Sequence, residues 1–301
     1  WCMLTVGIVI GAIAISIATK GLDGVTDPAL LQPALQKFMI SVSAIVLCIT
    51  FLACWGVEES NATREQKNIP SSNKEVGIKT AWSIITSSKQ IRIFFLFLIL
   101  YTLGLFLQDP ILESYGAEVF KLPISKTTLL NAYWGVGTLI GLLIGGLWVT
   151  PRLGKLATAR IGCWMIISSL FLLIISGFLQ NTNALFGVLI IFGLAAGIAT
   201  NSALSLMLDL TLPAMAGTLV GVWGLAQALS RALGKIFGGG LLDIGKLFIA
   251  PENPYIAFSF VFLLEIIVTV LAIVVLGKVS VKRFREETNS SLESLMMSEL
   301  E

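Results

Sequence analysis

The sequence predicts an all-α integral membrane protein, because apolar residues dominate it and recur in runs long enough to cross a bilayer. Apolar residues make up 56% of the 301 positions, charged residues only 13%, and the mean hydropathy is +0.90. A soluble globular domain has roughly 25% charged residues. Such an excess along the whole chain is expected where lipid solvates much of the surface, and in lipid a helix satisfies its own backbone hydrogen bonds.

Eight segments have the composition of membrane-spanning helices, which need about 20 apolar residues. In chain order they are 1–19, 35–57, 90–108, 128–150, 158–180, 183–207, 217–240 and 254–277. The chain begins with Trp1 inside the first apolar run. We therefore expect that further residues precede it in the complete protein.

Two polar segments accompany these spans. The longer one, 58–89, becomes amphipathic from Val76 to Ile85, which predicts either a helix in the membrane interface or a plain connector. The tail, 278–301, leaves the last span through basic residues and ends in a pattern typical of a short helix. Lysine and arginine are concentrated on the side of these two segments, which predicts that both are cytoplasmic.

The order of these segments is uneven, with two helices, a long loop and then six helices. This layout fits the last eight helices of a twelve-helix major facilitator fold, in which a long cytoplasmic loop joins two six-helix halves. We therefore expect residues 1–57 to end the first half, 58–89 to be the central loop, 90–277 to form the second half and 278–301 to be the tail.

Composition also limits the chemistry. The sequence has no histidine, which excludes histidine-based acid–base catalysis and histidine-ligated zinc, haem or chlorophyll in this chain. It has no paired-cysteine motif, no nucleotide-binding loop and no hydrolase signature. A net charge of +2 provides no basic field for nucleic acid. We expect a lipid-embedded protein that is not an enzyme and has neither a metal site of its own nor a nucleic-acid partner.

Glycine repeats predict close helix contacts. Gly137, Gly141 and Gly145 follow one another at four-residue spacing, and the same spacing recurs in three further pairs, Gly193 with Gly197, Gly217 with Gly221, and Gly234 with Gly238. Small residues at this spacing let helix backbones approach closely in lipid.

The segment 106–118 is the most unusual part of the sequence. Pro110 interrupts the helix there, and polar side chains gather at the membrane–water boundary: Gln108, Asp109, Glu113 and Tyr115. Composition alone is compatible with a solvated helix end or with a binding site.

Residues 106–118, with Thr127 to Thr138 after them, resemble the signature region of the PucC/LhaA family, also called the bacteriochlorophyll delivery family of major facilitators. The matching pattern is Gln-Asp-x-x-Leu-Glu-x-Tyr-Gly, beginning at Gln108. Members of that family are linked to the assembly of light-harvesting complexes and to chlorophyll handling. The resemblance implies a photosynthetic, thylakoid or inner, membrane, with chlorophyll or a related tetrapyrrole as ligand and chlorophyll-binding membrane proteins as partners.

The magnesium of a chlorophyll takes an axial ligand, and it accepts oxygen well. Gln108 and Glu113 are the first candidates because they lie in the matching motif. A wider pigment-binding set adds Asp109, Tyr115 and Asn131. Asn201, Gln227, a backbone carbonyl or a bound water are alternative ligands.

A second polar group lies inside the predicted spans. Gln227, Arg231 and Lys235 follow at i, i+4 and i+8 and so share one helix face. Glu265 in the last span lies at about the same depth as Arg231, so the two residues could meet. The alternatives are a structural ion pair, a site for an acidic substrate group and a proton-coupling pair.

Three functions remain open at this point. The first is a photosynthetic assembly factor or carrier that handles (bacterio)chlorophyll, as the resemblance implies. The second is a proton-coupled transporter of a small solute, which the charged residues inside the spans favour. The third is a structural subunit of a membrane complex, which the glycine faces and the tail would serve.

Overall fold

The computed structural model describes residues 2–25, 28–55, 89–210, 216–249, 253–280 and 283, and within these ranges all regular structure is helical. The amphipathic segment at 76–85 and the short helix predicted in the tail lie outside the described residues. Both remain predictions.

Ten α-helices account for the described architecture. They are α1 (Cys2–Thr19), α2 (Pro28–Cys54), α3 (Lys89–Leu105), α4 (Leu112–Glu118), α5 (Ile124–Ile144), α6 (Thr150–Leu153), α7 (Lys155–Leu179), α8 (Thr182–Asp209), α9 (Ala216–Ile244) and α10 (Pro254–Leu276). A 3₁₀ turn at Lys20–Leu22 follows α1, and π-helical turns at Gly145–Val149 and Gly245–Ile249 follow α5 and α9.

Each of the eight predicted spans coincides with one of the long helices. In the described part of the chain, six helices are long and apolar enough to cross a membrane: Cys2–Leu22, Gln32–Cys54, Ile124–Leu153, Lys155–Leu179, Thr182–Asp209 and Pro254–Leu276. The prediction of an all-α membrane protein is therefore confirmed. The other two predicted spans are α3, which has only 17 residues, and α9, which carries Arg231 and Lys235.

The closest helix contact joins α5 to α8. A Cβ atom added at Gly137 would run into the carbonyl oxygen of Ile190, and one added at Gly193 would run into that of Trp134. Because neither helix has room for a side chain there, the two backbones touch directly. The predicted role of these glycines in helix packing is confirmed at this contact.

The other helices extend from this pair. α7 packs on α8, α10 packs against α7 and α3, α9 packs on α3, and α1 packs on α5. Large aromatic side chains fill the centre of the bundle, including the fully buried Phe97, Phe192, Phe258 and Phe262. By contrast, the window of α2 that could cross a membrane buries no residue against the described part of the chain. The bundle of α3, α5, α7, α8, α9 and α10 therefore positions the site, and α1 covers one side of it.

Candidate functional site

A cavity of about 610 Å³ lies between α1, α3, α5, α8 and α9. One wall comes from α1, where the apolar side chains of Leu4, Ile8, Ala12 and Ile15 line the cavity together with Thr5. Gly11 lies in the same wall, and a Cβ atom built there would meet no atom within 4 Å. The α1 wall therefore offers a mostly apolar surface with free space at Gly11.

The opposite wall is polar and joins the two groups of residues that the sequence had left separate. Asp109, Glu113 and Asn131 come from the motif region, and Gln227, Arg231 and Lys235 come from the polar face of α9. Because α9 packs on α3 and α4 packs on α5, the polar face of α9 and the motif meet across one cavity.

An ion pair connects these two groups. The Lys235 Nζ atom lies 2.7 Å from Asp109 Oδ2, with 53% of the lysine side chain and 29% of the aspartate side chain exposed. Asp109 lies in the turn between α3 and α4, where the backbone N–H of Ile111 donates to the carbonyl oxygen of Gln108 at 3.1 Å. The pair therefore joins α9 to the turn that carries the motif.

A hydrogen bond defines a second polar group. The side-chain amide of Asn131 donates from Nδ2 to Glu113 Oε1 at 2.7 Å. Glu113 lies in the first turn of α4, and Asn131 lies two turns into α5. The bond fixes the direction of the Glu113 carboxylate at the edge of the cavity while leaving the residue exposed.

Arg231 lies one turn before Lys235 on α9, and its guanidinium carbon is 4.8 Å from the centre of the Phe106 ring. An arginine above an aromatic face gains a favourable cation–π contact, worth about 0.5–2 kcal/mol depending on desolvation. Gln227, a further turn earlier, is 8% exposed. The face of α9 toward the cavity therefore presents two cations and one amide.

Two motif residues lie away from the cavity. Tyr115 is fully buried, donates from its hydroxyl to the carbonyl oxygen of Leu173 at 2.8 Å, and packs against Phe258 and Phe262. Burial raises the pKa of the Tyr115 phenol. Gln108 is 4% exposed, and its Oε1 atom has no hydrogen-bond partner among the residues that the structure describes. In this structure Tyr115 holds α4 against α7 and α10, and it is not part of the cavity wall.

The expected contact between Arg231 and Glu265 is not formed. Glu265 is fully buried in α10, and neither of its carboxyl oxygens has a hydrogen-bond partner in the part of the chain that the structure describes. The alternative ligand Asn201 also lies elsewhere, since its Nδ2 atom donates to Thr150 Oγ1 at 3.3 Å. Similar depth along two helices does not bring side chains together unless the helices also turn those faces toward each other.

Sequence reasoning missed several cavity residues. The hydroxyl of Tyr101 on α3 donates to the carbonyl oxygen of Ala196 at 3.2 Å and lies 2.8 Å from Thr200 Oγ1. Thr102 beside it also lines the cavity, and its hydroxyl has no hydrogen-bond partner from the described residues. The sequence feature that could have indicated them is the pair of polar residues Tyr101 and Thr102 inside an otherwise apolar span. No sequence pattern indicated that α1 would form the facing wall.

A further contact attaches the end of the α1 region to the start of α5, beside the cavity. The Asp23 carboxylate accepts hydrogen bonds from the Ser125 hydroxyl and, at 3.1 Å, from the Ser125 backbone N–H. These bonds hold the pKa of Asp23 below its ordinary value, and Lys126 and Lys20 act in the same direction. The end of α1 is thus tied to the beginning of α5.

Comparison with known proteins relates the chain to one family. A family model described as PUCC protein matches residues 1–284. The bacteriochlorophyll synthase 44.5 kDa chain of Rhodobacter capsulatus is 30% identical over 222 residues, which cover 72% of this chain and 50% of that protein. A protein named PucC from Cereibacter sphaeroides is 28% identical over 262 residues, covering 84% and 54%.

A third relative is an uncharacterized protein in the puhA-bchM intergenic region of Rhodobacter capsulatus. It is 24% identical over 292 residues, which cover 92% of this chain and 57% of the relative. The chain therefore spans about half the length of the curated relatives it matches.

Proposed function

Because the chain belongs to the PUCC protein family, we propose that it binds a chlorophyll-type tetrapyrrole and passes it to chlorophyll-binding membrane proteins during assembly of light-harvesting or photosystem complexes. The name of one relative, bacteriochlorophyll synthase 44.5 kDa chain, connects the family to this pigment. The protein would act as a carrier or assembly factor in the photosynthetic membrane.

The cavity is the observation that carries this proposal. Its volume, about 610 Å³, lies within the range of about 300–1,000 Å³ typical of small-molecule sites. A tetrapyrrole has large apolar faces, polar groups at its edge and a metal at its centre. The apolar α1 wall and the opposite wall of oxygen and cationic groups are complementary to these features.

The donor set also suits a metal held in a ring better than a free ion. No group of three or more histidine, cysteine, aspartate or glutamate side chains suitable for a metal ion occurs among the described residues. A ring supplies four nitrogen ligands to its metal, so the protein needs to add only one. Glu113 and Asn131 at the cavity edge offer such oxygen atoms. When bound, the pigment would supply light absorption.

We also propose a major facilitator fold, with α1 and α2 ending the first half and α3 to α10 forming the second. The proposal is supported by the order of the helices and by two longer relatives, of which the chain matches 50% and 54%. The cavity would then lie where the two halves meet, as binding sites do in such transporters. The distribution of lysine and arginine supports a cytoplasmic central loop and tail.

The test is the absorption spectrum and pigment content of the gently solubilised, purified protein. We expect a near-stoichiometric chlorophyll-type pigment in the unchanged protein. Gly11→Leu should remove most of it, since Gly11 lines the cavity and has free space for the new side chain. Gly7→Leu is the matched control, because Gly7 has equal free space on α1 but lies outside the cavity lining.

A well-folded protein that is colourless and takes up no added pigment would contradict the proposal. Equal pigment loss from Gly7→Leu and Gly11→Leu would show that the pigment binds outside the cavity.

A second candidate function is proton-coupled transport of a small solute, which Glu265 favours. This carboxyl group is fully buried and has no hydrogen-bond partner within the described ranges. Buried carboxyl groups inside membrane spans serve as proton relays in transporters. Uptake driven by a pH gradient in vesicles, abolished by Glu265→Gln with normal protein accumulation, would support it. Stable, stoichiometric association with a membrane complex without pigment would instead support a structural subunit.

A further inference from the structure

We propose that Glu113, oriented by the side-chain amide of Asn131, provides the axial oxygen ligand for the magnesium of a tetrapyrrole bound in the cavity. This inference rests on the proposed function and adds the ligating residue and the state of the pigment that the site prefers. A pigment that retains magnesium would bind more tightly than its metal-free form.

The position of Glu113 distinguishes it from the other oxygen donors of the motif. Glu113 lines the cavity and is exposed. Gln108 is 4% exposed and does not line the cavity. Tyr115 is buried among aromatic rings and already donates to Leu173. Of the two candidates that the sequence ranked first, the fold therefore presents Glu113 to a ligand.

Glu113 differs from its neighbour Asp109 in that its carboxylate is not part of an ion pair with Lys235. The Asp109 carboxylate is paired with Lys235 at 2.7 Å, so coordinating a metal through it would compete with an existing ion pair. Glu113 is held instead by a neutral amide at 2.7 Å. The hydrogen bond from this neutral amide does not cancel the negative charge of the Glu113 carboxylate. It is made to Oε1 and does not involve Oε2, the second oxygen of the same carboxylate.

Asn131 provides the support that a metal ligand requires. Groups that hydrogen-bond to a ligating side chain set its direction, and removing such a partner costs about 10–100-fold in metal affinity. Asn131 lies on α5, the helix whose backbone is in direct contact with α8. The Asn131 amide therefore belongs to a helix that is closely packed in the bundle.

The chemistry of the donor also fits. Magnesium is a hard cation that prefers oxygen ligands, and carboxylates are among its common protein ligands. Lys235 and Arg231 line the same cavity. The site accordingly combines the Glu113 carboxylate, which is not part of the Asp109–Lys235 ion pair, with apolar α1 side chains for the ring.

The test compares two pigments that differ only in the central metal, chlorophyll a and pheophytin a. Each is titrated into the purified chain in lipid nanodiscs, and the affinity and absorption spectrum are recorded. We expect the unchanged chain to prefer chlorophyll a by roughly tenfold or more. Glu113→Ala should abolish this preference while leaving pheophytin a affinity unchanged, and Glu113→Gln, which keeps a carbonyl oxygen, should restore part of it.

Two further variants complete the set. Asn131→Ala should lower the preference for chlorophyll a less than Glu113→Ala does. Glu118→Ala should leave the preference unchanged, because Glu118 lies on the same short helix but pairs with Lys246 at 2.7 Å outside the cavity lining.

The outcomes separate this inference from the function it rests on. If the unchanged chain binds neither pigment, the proposed function fails and the ligand assignment fails with it. If it binds both pigments equally, or if Glu113→Ala weakens both equally, pigment binding stands and Glu113 is not the magnesium ligand.

Discussion

The two sides of α5 differ in how the space beside them is filled. Toward α8, the glycines at 137, 141, 193 and 197 bring backbone against backbone with no room for a Cβ atom. Toward α1, Asn131 and Trp134 border a cavity of about 610 Å³. One helix thus has a close-packed backbone contact on one side and cavity-lining residues on the other. The close-packed side fixes the position of α5, and the polar groups on its other side can therefore hold a defined geometry.

The largest expected effect comes from disturbing the close-packed side. In Gly193→Ala the new methyl group would meet the Trp134 backbone, so we expect a loss of about 3 kcal/mol in the free energy of unfolding, at the upper end for overpacking. Gly187→Ala on the same helix is the control, since a Cβ atom there meets nothing within 4 Å. Equal stability of the two variants by chemical denaturation would refute the backbone contact.

A smaller loss is expected where the motif is anchored to the bundle. Tyr115→Phe removes the hydrogen bond to the Leu173 carbonyl and keeps the ring contacts with Phe258 and Phe262. A buried hydrogen bond of this kind contributes about 0.5–1.5 kcal/mol. We expect that decrease in unfolding free energy with no change in the ratio of chlorophyll a to pheophytin a affinity. A change in this affinity ratio would show that Tyr115 is part of the binding site.

On the open side, removing a charge should cost little stability. Lys235→Met breaks the ion pair with Asp109, but over half of the lysine side chain is exposed, and exposed pairs contribute about 0–1 kcal/mol. We expect an unfolding free energy within about 0.5 kcal/mol of the unchanged protein. A loss as large as that of Gly193→Ala would show that the polar wall is part of the structural core.

The smallest effect concerns the attachment of α1 and depends on pH. Hydrogen bonds from Ser125 lower the pKa of Asp23 below its ordinary value of 3.8, so the contact is fully present above about pH 4 and is lost as the pH falls through the folded-state pKa. We expect the unchanged protein to be more stable than Asp23→Ala near neutral pH and the difference to shrink below pH 4. Thermal unfolding at several pH values measures this, and a difference that grows on acidification would contradict it.

Much of the site was predictable from residue type, but not its assembly. Asp109, Glu113 and Asn131 were predicted from the motif, and Arg231 and Lys235 from their spacing on one helix face. The cavity brings these two groups together, which no spacing in the chain could indicate. The pairing expected for Arg231 with Glu265 is not formed, because Arg231 lies over the Phe106 ring at the cavity while Glu265 is buried in α10, with no hydrogen-bond partner among the described residues.

The motif shows the same limit of prediction from sequence over a short stretch of chain. Glu113 and Tyr115 are two residues apart, which on an α-helix is a rotation of about 200°. The short helix α4 therefore directs Glu113 to the cavity and Tyr115 into the bundle. Which of the two faces the cavity depends on how α4 is docked on α5, α7 and α10, and that is a long-range property.

The sequence by itself determined that the chain is a helical membrane protein, where its long helices lie and which glycines could pack closely. These properties follow from local rules, since a bilayer demands long apolar helices and close backbone approach demands small residues. The tertiary structure decided which glycine faces meet, which polar residues share a cavity and which ones are buried as supports. Those outcomes depend on the rotation and docking of each helix, and the free energy that fixes them comes from contacts between residues far apart in the chain.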